Sequence, residues 1–122
     1  MQVTAEHNKK IAAIKFSSVY PHFFAKIECK GRSKEELHEV IKWLTGFGEK
    51  EINELIKEEV SFEIFFKKAT FHQNAALITG TICGYKIEHI ENDLTRQIRC
   101  LDKLVDELAK GKKMEKILRS IA

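Results

Sequence analysis

The chain is 122 residues long, 43% hydrophobic and 32% charged, with a formal net charge of +3. That length supports one hydrophobic core rather than two, and the composition excludes a disordered chain. A single proline and six glycines argue against an all-β fold with its many turns, and no apolar run approaches the roughly 20 residues of a membrane span.

The opening stretch, MQVTAEHNKKIAAIKF, has no apolar signal core followed by a small-residue cleavage site, so no export and a cytoplasmic location are expected. Within it KKIAAIKF could supply a strand, and residues 1–10 read alternatively as a flexible arm on a single domain spanning 1–122. A first helix is predicted over 18–30. Ser17 or Ser18 caps it, Pro21 sits in its first turn where a missing N–H is harmless, and Gly31 stops it. Tyr20, Phe23, Phe24 and Ile27 share one face of that helix.

Ser33 followed three residues later by Glu36 is a capping box, and Leu37, Val40, Ile41 and Leu44 then recur at helical spacing before Gly46. This predicts a helix over 33–45. A third, over 49–59, buries Ile52, Leu55 and Ile56 behind an acidic first turn that suits the helix dipole. A fourth, over 61–69, starts at Ser61, with Val60 and Phe65 placed as a hydrophobic staple and Phe62, Phe65, Phe66 and Ala69 facing inward.

Residues 75–91 admit two readings. As a helix, Ala76, Gly80 and Gly84 form a smooth face, but two interior glycines cost about 1 kcal/mol each and β-branched neighbours add to that. As a hairpin, LITGTI and YKIEHI flank Cys83-Gly84, and this reading is preferred. Asn92 then caps a long helix over 93–110, with Leu94, Ile98, Leu101, Leu104, Val105 and Leu108 on one side and Gly111 at its end. A last helix over 112–120 groups Met114, Ile117, Leu118 and Ile121. The sum is a mainly α fold: a compact bundle of five to six short helices, with a short β-hairpin around residues 77–90.

Two stretches, SSVYPHFFAKIECKGRSKEELHEVIKWLTGF and LITGTICGYKIEHIENDLTRQIRCLDKLVDELAKGKKMEKILR, resemble a family of small bacterial proteins, domain of unknown function 2200. The strings VYPHF, WLTG, LITGTICG, LDKLVDELAKGK and MEKIL carry the resemblance, which runs from about Ile14 to Arg119. The chain departs from the family pattern at Asn92-Asp93, where the family has Asp-Pro. The resemblance implies a compact bacterial domain and carries over no activity, ligand or catalytic residue.

Little in the residues points to chemistry. Cys29, Cys83 and Cys100 form an odd set without a CxxC pair, which argues against a disulfide framework or a zinc knuckle, and all three read as small buried hydrophobes. Cys83, between Gly80 and Gly84, could be a nucleophile if a histidine such as His89 lowered its pKa; a core position is the preferred reading. The five histidines never fall at zinc-ligand spacing, with His22 and His38 read as boundary residues, and TGTICG is no phosphate loop. Neither a metal nor a cofactor is expected. The carboxylate pairs Glu35-Glu36, Glu58-Glu59 and Asp106-Glu107 read as solvated helix exteriors. Trp43 and Phe47 are the aromatics placed to line a groove, Trp43 being read as half-exposed at the edge of the core.

Charge is unevenly spread. Residues 1–32 carry six Lys/Arg against two acids, 33–92 seven against eleven, and 93–122 eight against five. Lys110, Lys112, Lys113, Lys116 and Arg119, opposed by Glu115, form the leading candidate binding cluster, although cations at a helix C-terminus also complement its dipole. Three function classes are weighed in order. The first is a small non-enzymatic interaction or regulatory module with a protein partner. The second is a weak nucleic-acid-associated protein using the basic cluster, although such binders usually have a pI above about 9. The third is a small enzyme with a site near Cys83.

Overall fold

A computed structural model describes residues 5–119 and arranges them as seven α-helices, two short 3₁₀ segments and one two-stranded hairpin. The first helix, α1 (Ala5–Ala12), replaces the predicted N-terminal strand, and most of the predicted flexible arm lies within it. Ile11 and Ala12 are buried, and Thr95 Oγ1 donates to Asn8 Oδ1 at 2.7 Å, which ties α1 to the long helix. Residues 1–4 of the arm, and Ser120 and Ile121 of the predicted last helix, lie outside the described residues.

Helix α2 (Phe16–Glu28) starts before the predicted serine caps, so Pro21 falls in its second turn rather than its first. Its N-cap, Lys15, makes no side-chain cap. The entry is instead held by a crossing segment: Phe16 N–H donates to the Val60 carbonyl at 2.9 Å and Phe62 N–H to the Ile14 carbonyl at 2.8 Å. At the other end Gly31 takes φ +79° and Arg32 N–H reaches the Ile27 carbonyl at 3.1 Å, closing a Schellman motif that satisfies an orphan carbonyl.

Helices α3 (Lys34–Thr45), α4 (Glu49–Lys57) and α5 (Phe62–Lys68) fall where predicted. The Ser33–Glu36 capping box is complete, and Ser61 accepts from Ile64 N–H at 3.3 Å. The apolar stripes point into the core, with Leu37, Val40, Ile41, Leu44, Ile52 and Phe65 fully buried and Ile56 only partly so. Phe16 stacks on Phe65 with centroids 4.3 Å apart, and Phe62, Phe66 and Phe47 pack around them edge-on or stacked.

After a 3₁₀ segment (Gln73–Leu77) come strands β1 (Thr81–Ile82) and β2 (Tyr85–Lys86), paired antiparallel with Ile82 opposite Tyr85. The hairpin reading therefore stands and the helical one does not. Cys83 and Gly84 have φ of +53° and +83°, the left-handed pair of a type I′ turn. Helix α6 (Asp93–Ala109) follows, capped by Asn92, whose side chain accepts from Thr95 N–H at 2.9 Å. It packs against α1, α2, α3, α5 and β1, and buries Ile98, Leu101, Leu104, Val105 and Leu108. The predicted last helix shrinks to one turn, α7 (Met114–Ile117), also packed on α6.

Two expectations about burial are overturned. Cys29 and Cys83 are exposed and only Cys100 is buried, because Cys83 sits at the hairpin tip and Cys29 on the outward side of the α2 C-terminus. Burial also pushes the Cys100 thiol up to about 11. In the folded protein at neutral pH, a thiol reagent should therefore label two cysteines quickly and Cys100 only on unfolding; fast labelling of all three would contradict this. Cys83→Asn should stabilise the chain by up to about 1 kcal/mol in urea denaturation, since asparagine tolerates the left-handed conformation better than cysteine.

Candidate functional site

The five basic residues singled out above do not form one free cationic surface. Arg119 donates to both oxygens of Glu107, at 2.7 and 2.8 Å, and Lys112 reaches Glu107 Oε2 at 3.2 Å. Lys110 pairs with Asp106 at 3.0 Å, and Lys26 of α2 reaches the same carboxylate at 3.3 Å. Lys113 and Lys116 are exposed. Glu107, expected on the exterior with Asp106, is 2% exposed. Burial alone would raise its carboxyl, but the Arg119 hydrogen bonds and charge outweigh that and hold it below the ordinary carboxylate range. Three of the five cations thus pair with acids of α6: Lys110 and Lys112 from the surface, and Arg119 in a buried pair with Glu107 that fastens the chain after Gly111.

A second constellation joins α2, α3 and α4. His38, expected at the boundary, is 2% exposed. Its Nδ1 lies 2.6 Å from Glu49 Oε2 and its Nε2 2.5 Å from the Tyr20 hydroxyl. A carboxylate only accepts, so Nδ1 donates to Glu49, and on the neutral ring Nε2 then accepts from the Tyr20 hydroxyl. Burial and the Glu49 charge push the Tyr20 phenol upward, while the His38 hydrogen bond holds Glu49 down. A cleft of about 380 Å³ adjoins it, lined by Lys34, Glu35, His38, Glu39, Lys42 and Glu49. Both ring nitrogens of His38 are engaged and the Tyr20 phenol is not activated, so the trio acts as a clasp between three helices. Tyr20→Phe should cost about 1–2 kcal/mol, because it leaves the buried Nε2 without a donor. An unchanged urea midpoint for that variant would remove the clasp from the account. His22, by contrast, is exposed.

The third feature is a groove of about 350 Å³ between α1, α2, α5 and α6. Ile11, Ile14, Val19, Phe62 and Ile98 form its apolar side, and His7, Lys10, Arg99 and Asp102 its polar end. Ile14 is 40% exposed, whereas Phe62 beneath it is 2% exposed. Arg99 Nη1 donates to Asp102 Oδ2 at 3.0 Å, and its guanidinium lies over the Tyr85 ring at 5.3 Å, a cation–π contact. Burial pushes the Asp102 carboxyl up against the opposing effect of Arg99. An apolar cavity with convergent polar groups and a perturbed carboxyl is the usual form of a ligand site.

The groove leaves no sequence signature because its lining comes from four segments between His7 and Asp102. Of the predicted aromatic pair, Trp43 lies at the edge of the core as expected and Phe47 does not line a groove. Trp43 is half-buried and stacks on His72 with centroids 4.2 Å apart, while Phe47 is in the core. Among the described residues no group of three or more His, Cys, Asp or Glu could hold a metal ion, and no helix is long and apolar enough to cross a membrane.

A family model described as "Uncharacterized protein conserved in bacteria (DUF2200)" matches residues 10–119. A crystal structure named "uncharacterized protein SP1917" is similar over 90% of this chain and 91% of that one, with 40% identity and a TM-score of 0.84. A search of curated proteins returned no match.

Proposed function

The chain belongs to the bacterial family DUF2200, and from that premise we propose that it is a small non-enzymatic binding module of the cytoplasm. Its partner sits in the groove between α1, α2, α5 and α6. The observation that carries this is an apolar surface left open to solvent at Ile14 and bounded at one end by Arg99 and Asp102. A cytoplasmic setting suits three cysteines that form no disulfide. Catalysis draws less support, since Cys83, although exposed, sits on a two-residue turn that lines neither cleft, and His38 has both nitrogens occupied. Nucleic-acid binding also draws less, because Lys110, Lys112 and Arg119 are committed to carboxylates.

Nuclear magnetic resonance of the isotope-labelled full chain with a library of small organic fragments tests the proposal. Shift changes are expected to cluster at Ile11, Ile14, Val19 and Ile98, and to vanish in Ile14→Lys, a change at an exposed position. Silence at these residues would overturn it. Shifts confined to Lys113 and Lys116 on adding duplex DNA, weakening steeply with salt, would favour the nucleic-acid reading instead.

A further inference from the structure

We infer that the groove takes a small amphipathic monocarboxylic acid, its hydrocarbon part against Ile11, Ile14, Val19 and Phe62 and its carboxylate on the Arg99 guanidinium. This rests on the binding-module reading and names the ligand class for it.

Arginine carries five N–H donors in a rigid fork. Among the described residues Arg99 uses only Nη1, toward Asp102, and its Nε is buried without a partner. The side chain is 13% exposed, so water has little access to it. A buried donor without an acceptor keeps its full desolvation cost. With Nη1 taken and Nε unpaired but covered, the Nε–Nη2 edge is the one a carboxylate would pair with through two parallel hydrogen bonds once the guanidinium turns toward the groove.

The charges around the groove match a single negative group. Lys10 and Arg99 face one acid, Asp102, at the polar end, and Asp102 is already engaged by Arg99. Glu6 contacts Lys10 at 3.8 Å, but both side chains are about four-fifths exposed and that pair counts for little. Lys10 and Arg99 against Asp102 leave one net positive charge at the groove, which favours a carboxylate over an ammonium ligand. At about 350 Å³ the cavity lies near the lower end for small-molecule sites, enough for one medium-length chain or one ring and not for a two-chain lipid.

The test titrates the labelled full chain with octanoate, 1-octanol and octylamine, reading shifts at Ile11, Ile14 and Val19 and at the Arg99 Nε–H. Octanoate should bind at least about tenfold more tightly than octanol, the smallest margin expected for a charge-assisted fork. Arg99→Gln should bring octanoate down to the level of octanol and leave octanol unchanged. Arg99→Lys, which keeps the charge and loses the fork, should lose most of the preference too. Equal binding of octanoate and octanol by the unmodified protein, a preference that survives Arg99→Gln, or tighter binding of octylamine would overturn the inference. Comparison of octanoate with octanol on the unmodified chain decides the matter even if the Arg99 variants fail to fold. Octanol shifts in the groove without a carboxylate preference would sink the ligand class and leave the binding module standing. No groove shift with any of the three would overturn the inference, and the fragment library separately decides whether the groove binds at all.

Discussion

Leu101→Ala is expected to cost roughly 2–5 kcal/mol, a large share of the stability of a domain this size. Leu101 is 0% exposed and sits midway along α6, the helix against which α1, α2, α3, α5 and β1 all pack. Removing its isobutyl group loses the transfer free energy of the buried carbons. It also leaves a cavity that cannot collapse, because the walls belong to several separately anchored helices. Leu77→Ala is the matched control: Leu77 is 54% exposed, and the same change should stay within about 0.5 kcal/mol. Urea denaturation of the two variants beside the parent measures both. A Leu101→Ala midpoint equal to that of Leu77→Ala would show that the α6 face is not the centre of the core.

Arg119→Ala should be the most damaging change at a charged position, at about 3 kcal/mol. The Glu107 side chain is 3% exposed, and Arg119 provides two of its three hydrogen bonds, so truncation strands a buried carboxylate. Breaking such a pair costs about 3–5 kcal/mol in general, and the remaining half-exposed Lys112 places this case at the lower end. Lys113→Ala and Lys116→Ala, at exposed positions of the same segment, should be nearly neutral.

The pair also gives a pH signature. Glu107 titrates below its ordinary value of 4.5 in the folded chain, so its contribution is complete above that value. It is lost as pH falls from there through the lower folded value, where the unfolded chain binds the proton more readily. Arg119→Met should therefore flatten the loss of stability below about pH 4.5. An acid limb identical to that of the parent would mean that Glu107 does not drive it.

Where the sequence read correctly, the deciding interactions are local. The Ser33–Glu36 box, the Ser61 and Asn92 caps and the glycines at 31, 46 and 111 each involve residues within about one turn of one another. Their signals survive without knowledge of the rest of the chain. The apolar stripe of α6 is equally legible, since 3.6-residue periodicity is a property of one segment. The flanking strands mark Cys83-Gly84 as a turn, which is at odds with a core position for Cys83. A two-residue turn projects its side chains away from the sheet, so Cys83 is exposed.

Where the sequence misled, a partner distant in the chain decides. Helix α2 begins at Phe16 because the Phe16 N–H finds the Val60 carbonyl across the chain, and the Ile14 carbonyl accepts from Phe62 in return, with no serine hydroxyl involved. Asp106 and Glu107 looked like one solvated pair, but neighbours on a helix point about 100° apart. One therefore meets Lys26 and Lys110 at the rim, while the other turns inward to Arg119. His38 changed from a boundary residue to a buried one because Tyr20 and Glu49 come from two other helices to meet its nitrogens.

The sequence by itself determined the mainly α class, the starts of most helices and the buried face of α6, because caps and periodicity act within a few residues. Only the tertiary structure decided which charged groups are buried in pairs and that an apolar groove ends at the Arg99–Asp102 pair. Desolvation and pairing of those groups depend on side chains that the fold alone brings within hydrogen-bonding distance, such as Arg119 and Glu107.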